Sequence, residues 1–359
     1  MIDQERLYRI ALSMLFRNRL RHQRELITAY GSAESVWGHI DEPQQQEMLD
    51  QARHEAEFIE QHHIGVLLPE DAEYPYRLKQ CPDAPTVLYT KGHVEANLGK
   101  YISIVGTRNA SERGKELTRR LVLDIADMLQ DVTIVSGLAY GIDVAAHRAA
   151  LEAGIPTLII PAHGLDRIYP ALHRPVAVEA LTRGGIITEY PSGTEPLAPH
   201  FVARNRIVAG LADAVVVVES RARGGSLITA RMANDYSRDV FTFPGRPSDE
   251  LAHGCNILIR DQKAALIENA DDLVQAMQWE SAARQPVQTA MNEMFADLDD
   301  TQKQLLNRLR QEPDGLHINL LVMESGLDYS AVSSALMMME INGIVKGLPG
   351  GIYKIIEAY

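Results

Sequence analysis

Short, wholly apolar runs alternate with helical patterns through the middle of the chain. The apolar runs predict β-strands at residues 102–105, 132–136, 157–161, 185–188, 214–218 and 240–243. The segments between them carry apolar residues at helical spacing and predict helices at residues 115–129, 142–152, 176–182, 201–211 and 226–235. Strands that are apolar along their whole length are typical of a parallel sheet covered by helices on both faces. We therefore predict an α/β domain with a doubly wound, mostly parallel sheet over residues 67–280.

The two ends of the chain follow helical patterns instead. Residues 1–66 carry apolar positions such as Leu7, Ile10 and Met14 at helical spacing, which predicts a small all-α domain. A polar stretch interrupted by Pro286 predicts a linker at residues 281–292. After it, we predict helices at residues 301–310, 317–325 and 330–342 and a hairpin formed by residues 344–347 and 352–355. Three helices followed by a hairpin are typical of a winged helix, here residues 293–359.

Composition is that of a globular protein from a reducing compartment. The hydrophobic content of 46% and the charged content of 23% are ordinary. Cys81 and Cys255 are too few for a disulfide framework and do not have metal-ligand spacing. The first residues are acidic, unlike a signal peptide, and no apolar run approaches the roughly 18 residues that span a bilayer. We expect a cytoplasmic protein without membrane contact.

The net charge of −13 is unfavourable for a nucleic-acid partner, but it is unevenly distributed. Residues 1–65 have a net charge of −4 and residues 291–359 of −5. Residues 99–120 have a net charge of +4, and residues 200–246, with seven arginines, of +3. Because salt confines each field to about 8–10 Å, these two basic stretches can still attract phosphate at close range.

A loop suited to anions follows the first strand of the predicted sheet. Gly106 lets a ligand approach the backbone, Thr107 and Ser111 carry hydroxyl donors, and Arg108 has a planar fork that fits phosphate oxygens. The helix that begins next adds partial positive charge. The loop matches neither the dinucleotide fingerprint nor the Walker loop. A purely structural turn, in which Arg108 pairs with a carboxylate, remains the alternative.

A second loop lies at the end of the next strand, where open α/β sheets place their ligands. Ser136 can donate to phosphate and Gly137 permits close approach. Asp143 serves the first turn of the following helix or holds an arginine in place. We interpret His147 as a packed residue rather than a base.

Two arginine-rich segments follow. Arg204, Asn205 and Arg206 are dense in donors, and the functional interpretation is favoured over that of a solvated helix start for at least one arginine.

The second of these segments follows the strand predicted at residues 214–218. It contains Gly224, Gly225 and Ser226, and the helix predicted to begin at Ser226 indicates another anion site. Glu219, at the end of that strand, is expected to orient Arg206 or Arg108.

These four loops leave the same edge of the predicted sheet and together predict one donor-rich groove. The sequence shows no nucleophile–base pair and no carboxylate cluster for a metal, so we predict no catalytic residue, no cofactor and no metal. Glu189 is interpreted as a hydrogen-bond acceptor that supports the groove. Tyr140 and Phe201 are the candidates for stacking on bases.

Taken together, these segments resemble the DNA-processing protein A family (DprA, also called Smf). The matching segments follow the family's order and are residues 74–75, 85–92, 105–108, 136–147, 164–170, 189–191, 204–206, 225–231, 243–245 and 254–259. The resemblance implies an extended Rossmann-like domain that binds single-stranded DNA without hydrolysing it. It also implies protection of incoming DNA during natural transformation, help in loading the RecA recombinase, and a homodimer formed through the central domain.

The same resemblance implies roles for the loops and the flanking domains. Gly106 and Arg108 would contact phosphate, with Ser136, Gly137 and residues 204–206 lining the same pocket. The N-terminal helices resemble a sterile-alpha-motif-like or helix-hairpin-helix domain. The helix predicted at residues 330–342 contains no Arg or Lys, so we expect the winged helix to contact protein rather than duplex DNA.

Two other interpretations remain open at this point. One is a nucleotide phosphoribohydrolase-like enzyme on a similar Rossmann fold, with Glu189 as the acid. Its usual Pro-Gly-Gly-x-Gly-Thr loop is only half matched by residues 224–226. The other is a structural scaffold with a vestigial pocket.

Overall fold

The structure is a computed structural model that describes residues 2–17, 19–279, 298–310, 312, 315–342, 344–348 and 350–355. It divides into two compact units, residues 1–282 and 283–359. The linker predicted at residues 281–292 lies outside the described residues. The domain boundaries predicted at residues 66 and 280 stay a prediction.

Four helices begin the first unit: α1 (Gln4–Leu15), α2 (Leu20–Tyr30), α3 (Ala33–His39) and α4 (Gln45–Gln61). The side chain of Asp3 caps α1, and the side chain of Ser32 caps α3 by accepting from the amide of Ser35. The apolar faces of these helices form one cluster that includes Ile10 and also Tyr89. The helices therefore pack directly on the sheet.

The sheet has nine strands within the described residues: β1 (Gly65–Leu67), β2 (Leu88–Gly92), β3 (Lys100–Val105), β4 (Val132–Ser136), β5 (Thr157–Ile159), β6 (Gly185–Thr188), β7 (Ala214–Val217), β8 (Asp239–Thr242) and β9 (Ala265–Leu266). Their order is β1-β2-β6-β5-β4-β3-β7-β8-β9. In this order, the seven strands from β6 through β5, β4, β3, β7 and β8 to β9 are parallel to one another. Strands β1 and β2 extend the sheet beyond β6 by antiparallel pairing. The predicted mostly parallel, doubly wound sheet is confirmed.

Helices cover both faces of this sheet: α5 (Tyr76–Lys79), α6 (Glu112–Met128), α7 (Ile142–Glu152), α8 (Arg174–Ala180), α9 (Ala198–Leu211), α10 (Gly225–Asp235), α11 (His253–Arg260) and α12 (Ala270–Ala276). Successive side chains of a strand point to opposite faces. Val215 of β7 accordingly packs in the core under α9 and α10, and Val216 packs in the core under α6 and α7.

The connections change direction at the centre of the sheet. From β3 the chain runs outward to β4 and β5 on one side, and later returns to β7 on the other side of β3. Loops that leave neighbouring strands in opposite directions open a crevice at the carboxyl ends of those strands. The loops after β3 and β7 meet there.

The six predicted strands are all present, but the sequence did not predict β1, β2 and β9. β2 ends in Thr90, Lys91 and Gly92, so its sequence is not an apolar run. β1 and β9 lie at the edges of the sheet, and both residues of β9 are exposed. Edge strands with one partner need no continuous apolar pattern, which explains why the sequence did not reveal them.

The second unit is a winged helix, as predicted. Its elements are α13 (Asp300–Leu309), β10 (Leu316–His317), α14 (Ile318–Ser325), α15 (Tyr329–Ile341), β11 (Val345–Leu348) and β12 (Ile352–Ile355). The three strands pair in the order β10-β12-β11. Leu305, Leu321 and Leu336 form the centre of its core.

Acid should weaken the fold through His147, which is fully buried in α7. Its Nδ1 lies 2.7 Å from Oγ1 of Thr157, and that hydroxyl donates to the carbonyl oxygen of Ile134. Burial lowers the pKa of His147 from 6.5 to about 3. The folded protein therefore keeps a neutral imidazole, while the unfolded chain takes up a proton as the pH falls below 6.5.

We predict that, because of this difference, the free energy of unfolding decreases by about 2–3 kcal/mol when the pH is lowered from about 7 to about 4.5. Urea unfolding of wild type and His147→Gln at both pH values measures it. The variant should lose less stability on acidification than the wild type. His93→Gln, at an exposed position, serves as the control and should behave like the wild type. Equal acid sensitivity in wild type and His147→Gln would contradict the prediction.

Candidate nucleic-acid interface

A groove of about 520 Å³ lies at the crevice where the loops after β3 and β7 meet. The first turns of α9 and α10 form its sides. Its described lining residues are Val105, Gly106, Thr107, Arg108, Ala139, Asp143, Pro196, Ala198, Phe201, Val202, Arg204, Asn205, Arg221, Arg223, Gly224, Gly225, Ser226 and Thr229. The groove brings together nine residues predicted from the sequence, which are Gly106, Thr107, Arg108, Asp143, Arg204, Asn205, Gly224, Gly225 and Ser226.

Arg108 brings an exposed positive charge to the groove. Its side chain is exposed and forms no ion pair with any described residue. The guanidinium carbon lies 4.8 Å from the centre of the Phe201 ring. A cation held over an aromatic face keeps its hydrogen-bond donors available at the edge. The structural alternative, an Arg108 that pairs with a carboxylate, is therefore not what the structure shows.

Gly106 lines the groove and is also required by the packing around it. A Cβ at this position would lie 2.8 Å from Cβ of Ile142, the first residue of α7. The amide of Thr107 donates to the carbonyl oxygen of Glu219 at 2.8 Å. Gly106 therefore lets α7 pack against the loop, and the loop is tied to the end of β7.

Arg204 is a buried cation at the back of the groove, only 3% exposed. One of its terminal nitrogens donates to the carbonyl oxygens of Gly137, at 2.9 Å, and Ile160. Its Nε is buried without a hydrogen-bond partner among the described residues. Burial lowers the pKa of Arg204 to about 10, so it remains positively charged at neutral pH.

Asp143 is the only carboxylate among the described residues that line the groove. Burial raises its pKa, while the positive charge of Arg204 acts in the opposite direction. Its carboxylate accepts from the amide of Ala139 at 3.4 Å. Asp143 thus lies in the first turn of α7, bonds to the loop before that helix and is close enough to Arg204 and Arg108 to feel their charge.

The start of α10 presents free backbone donors to the groove. No side chain among the described residues caps this helix, and its first turn carries no acidic residue. The first amides of a helix have no acceptor inside it, so they can donate to an anion. Gly225 is exposed, and a Cβ there would meet nothing within 4 Å. The hydroxyl of Ser226 donates to Oγ of Ser220 at 2.9 Å, so only its amide remains for a ligand.

Six predicted residues do not line the groove. Three of them, Ser111, Ser136 and Glu219, form hydrogen bonds within the protein instead. Ser136 is fully buried and its hydroxyl donates to the carbonyl oxygen of Ile104 at 2.6 Å, so it has no proton left for phosphate. Ser111 caps α6, and its amide and hydroxyl donate to Glu219. Glu219 therefore orients Ser111 and not an arginine, contrary to our expectation.

The other three support the groove from behind or lie apart from it. Gly137 makes room for Arg204, because a Cβ would lie 2.6 Å from the guanidinium carbon. Arg206 is buried, pairs with Glu189 and donates to the carbonyl oxygen of Asp83 at 2.8 Å. Arg206 therefore does not line the groove with Arg204, and Glu189 supports Arg206 instead of the groove.

Sequence analysis missed two cations in the lining, Arg221 and Arg223. Both are exposed; Arg221 lies 3.9 Å from a carboxylate oxygen of Glu250, and Arg223 forms no ion pair with a described residue. Their position just before Gly224 and Gly225 was the available signal. Of the two predicted stacking residues, Phe201 lines the groove.

Tyr140 is exposed but packs on His173 with 4.9 Å between ring centres, outside the lining. Tyr169, which the sequence did not single out, lies beside Phe201 with 5.9 Å between ring centres.

The described residues contain no group of three metal-ligating side chains that could hold an ion. Nor does any helix among them have the length and apolar character needed to cross a membrane.

Two family models match the chain. The model of DNA recombination-mediator protein A matches residues 65–278, and that of the DprA winged helix domain matches residues 292–351. Protein Smf of Synechocystis sp. is 33% identical over 336 residues, which cover 83% of this chain and 82% of that protein.

Two solved structures of DNA processing protein A are similar to this chain. DNA processing protein A (DprA) from Streptococcus pneumoniae is similar with a TM-score of 0.65 and 30% identity, over 77% of this chain and 98% of that chain. A structure of DNA processing protein A from Helicobacter pylori, described for its single-stranded DNA binding mode, is similar with a TM-score of 0.55 and 29% identity. That match covers 61% of this chain and 97% of the other.

Gly137, behind the groove, and Gly225, in its lining, should respond differently to substitution by alanine. At Gly137 the added methyl group would overlap with the buried guanidinium of Arg204. We expect Gly137→Ala to lower the free energy of unfolding by roughly 1–3 kcal/mol. At Gly225 the methyl group enters open space at the start of a helix, so Gly225→Ala should be neutral or stabilise by up to about 1 kcal/mol. Denaturant unfolding of both variants measures the difference; equal effects would contradict this account of Gly137.

Proposed function

The chain belongs to the DNA recombination-mediator protein A family, and on this basis we propose that it binds single-stranded DNA in the groove where the loops after β3 and β7 meet. The observation that carries the proposal is the charge of the groove. Its described lining contains one carboxylate, the buried Asp143, and four arginines, which are Arg108, Arg204, Arg221 and Arg223. The uncapped start of α10 adds backbone donors. A polyanion is the ligand that such a surface favours.

The relative from Helicobacter pylori, described for its binding of single-stranded DNA, supports the same ligand for this chain. Phosphate contacts fix the position of a strand without reading its sequence. Exposed aromatic rings accommodate any base by stacking. We therefore assign phosphates to the arginines and backbone amides, and at least one base to the half-buried ring of Phe201 and the exposed ring of Tyr169 beside it.

Binding without hydrolysis fits this groove better than the phosphoribohydrolase alternative. The acid required by that alternative, Glu189, pairs with Arg206 and does not line the groove. The carboxylate that does line it, Asp143, is buried and accepts a backbone hydrogen bond. The groove thus holds cations and amides without an exposed carboxylate positioned to exchange a proton with a substrate.

The winged helix has a different role in this proposal. Its helix α15 contains no Arg or Lys, while Met337, Met338 and Ile341 are exposed on it. Such a helix has no positively charged side chain with which to neutralise the phosphates of a DNA duplex. We propose that it contacts protein. Salt-dependent binding of duplex DNA by residues 283–359 would contradict this.

Replacing Arg108 tests the groove directly. We expect Arg108→Ala to weaken binding of oligothymidylate by about 10-fold or more, since a charged hydrogen bond contributes roughly 1.5–3 kcal/mol. The plot of log affinity against log salt should become less steep by about 0.7, the contribution of one phosphate. Fluorescence anisotropy over a salt series measures both quantities.

The matched control is Arg120→Ala, which removes an exposed arginine of α6 outside the groove. It should leave the affinity and the slope close to those of the wild type. If Arg108→Ala behaves like Arg120→Ala, Arg108 does not contact the DNA.

We further propose that the protein is a homodimer, formed through its central domain, that protects DNA entering during natural transformation and helps load RecA. The family description as a recombination mediator supports this role. The wild type should shorten the lag before RecA assembles on single-stranded DNA coated with single-strand-binding protein, and Arg108→Ala should not. ATP hydrolysis by RecA reports the lag, and sedimentation analysis reports the dimer. A lag unaffected by the wild type would count against the mediator role while leaving DNA binding intact.

A further inference from the structure

We propose that Arg17 and Glu55, in the N-terminal helical segment, are positioning residues for the DNA groove. They hold the loop at residues 190–197, here called the anchored loop, which leads directly into the helix that carries Phe201 and Arg204. The inference rests on the proposed function, because it concerns how tightly that groove binds single-stranded DNA.

Glu55 holds one side of the anchored loop. It lies on α4 and is 5% exposed. The amide of Ser192 donates to its two carboxylate oxygens at 3.0 Å each, and the hydroxyl of Ser192 donates to it as well. A buried carboxylate depends on such donors, because it has lost its hydration. Moving the loop away would leave Glu55 without these partners.

Arg17 holds the loop at two points. It follows α1 in the chain, and one terminal nitrogen donates to Oγ1 of the buried Thr194 at 2.8 Å. Its guanidinium carbon lies 5.3 Å from the centre of the Tyr190 ring. Arg17 thus binds the loop at its first residue and again near its middle.

The loop contains no helix or strand over residues 190–197. Inside it, the amide of Thr194 donates to the carbonyl oxygen of Pro191 at 3.3 Å. On the sheet side, the amide of Gly164 donates to the carbonyl oxygen of Thr194 at 3.3 Å, and the carboxylate of Asp166 accepts from the amide of Gly193 at 3.0 Å. The N-terminal helical segment therefore supplies one side of the attachment of the loop, through Arg17 and Glu55.

Direct contacts connect the loop to the groove. The hydroxyl of Tyr190 donates to the carbonyl oxygen of His200 at 3.2 Å, and the two rings lie 4.8 Å apart. The next residue is Phe201, whose ring contacts Arg108 and Arg204 from the groove side. Arg17 therefore acts on the DNA-facing surface through Tyr190 and Phe201.

Arg17→Met and Thr194→Val test the inference, because both remove the same hydrogen bond and only the first removes a charge. Each should weaken oligothymidylate binding by about fivefold or more, the scale of coupling between sites. The salt slope should stay that of the wild type, since no phosphate contact is lost. Arg17→Lys, which keeps the charge and a donor, should restore part of the affinity. Arg21→Ala, which removes an exposed arginine of the neighbouring α2, is the matched control and should bind normally.

A double-mutant cycle decides whether the effect passes through Phe201. In the Phe201→Ala background, Arg17→Met should cause no further loss of affinity. The inference is overturned if Arg17→Met and Thr194→Val bind DNA normally or if the loss persists undiminished without Phe201. It is also overturned if Arg17→Met lowers the salt slope by about 0.7, because Arg17 would then contact phosphate itself.

Thermal unfolding of each variant separates loss of fold from loss of positioning. Affinities are compared only where the folded fraction at the assay temperature is that of the wild type, and Thr194→Val preserves side-chain shape for that purpose. Failure of the wild type itself to bind oligothymidylate would contradict the proposed function instead.

Discussion

The groove depends on a buried arginine that is held by neutral groups. Arg204 donates to the main-chain oxygens of Gly137 and Ile160, which satisfy hydrogen bonds without cancelling a full charge. Removing a guanidinium from water disfavours its charged form, and burial accordingly lowers the pKa of Arg204. The carboxylate of Asp143 acts on the charge of Arg204 but is the only carboxylate among the described residues that line the groove. In the proposed complex, a phosphate would add negative charge beside the remaining arginines of the lining.

The placement of this arginine follows from the topology. Carboxyl ends of parallel strands collect at one edge, and the change of direction at β3 separates the loops that leave there. Gly137 leaves the space that the guanidinium fills, and α9 brings Arg204 into it from the opposite side of the loop. A strand order without this crossover would place the same residues on loops that never meet.

The sequence predicted most of the central sheet because fully buried strands leave an unmistakable apolar pattern. It predicted the groove because glycine-containing loops at strand ends share one edge. It could not predict which donors were already used. Ser136 and Arg206 have the residue types of an anion site, yet one donates to a main-chain oxygen and the other pairs with Glu189. Only the three-dimensional partners distinguish them from Arg108, whose side chain remains available.

An acidic protein that binds a polyanion needs its cations close to the ligand. At physiological salt a charge is felt over about 8 Å, so the acidic residues of the N-terminal helices weaken attraction at a distance more than at contact. The arginines of the groove act at contact, where guanidinium and phosphate share hydrogen bonds. In the proposed complex, the N-terminal helical segment would influence binding through the position of the anchored loop, because hydrogen bonds from Arg17 and to Glu55 act at any salt concentration. The charge of the groove would then attract the strand, and the packing of the loop would place Phe201 against its bases.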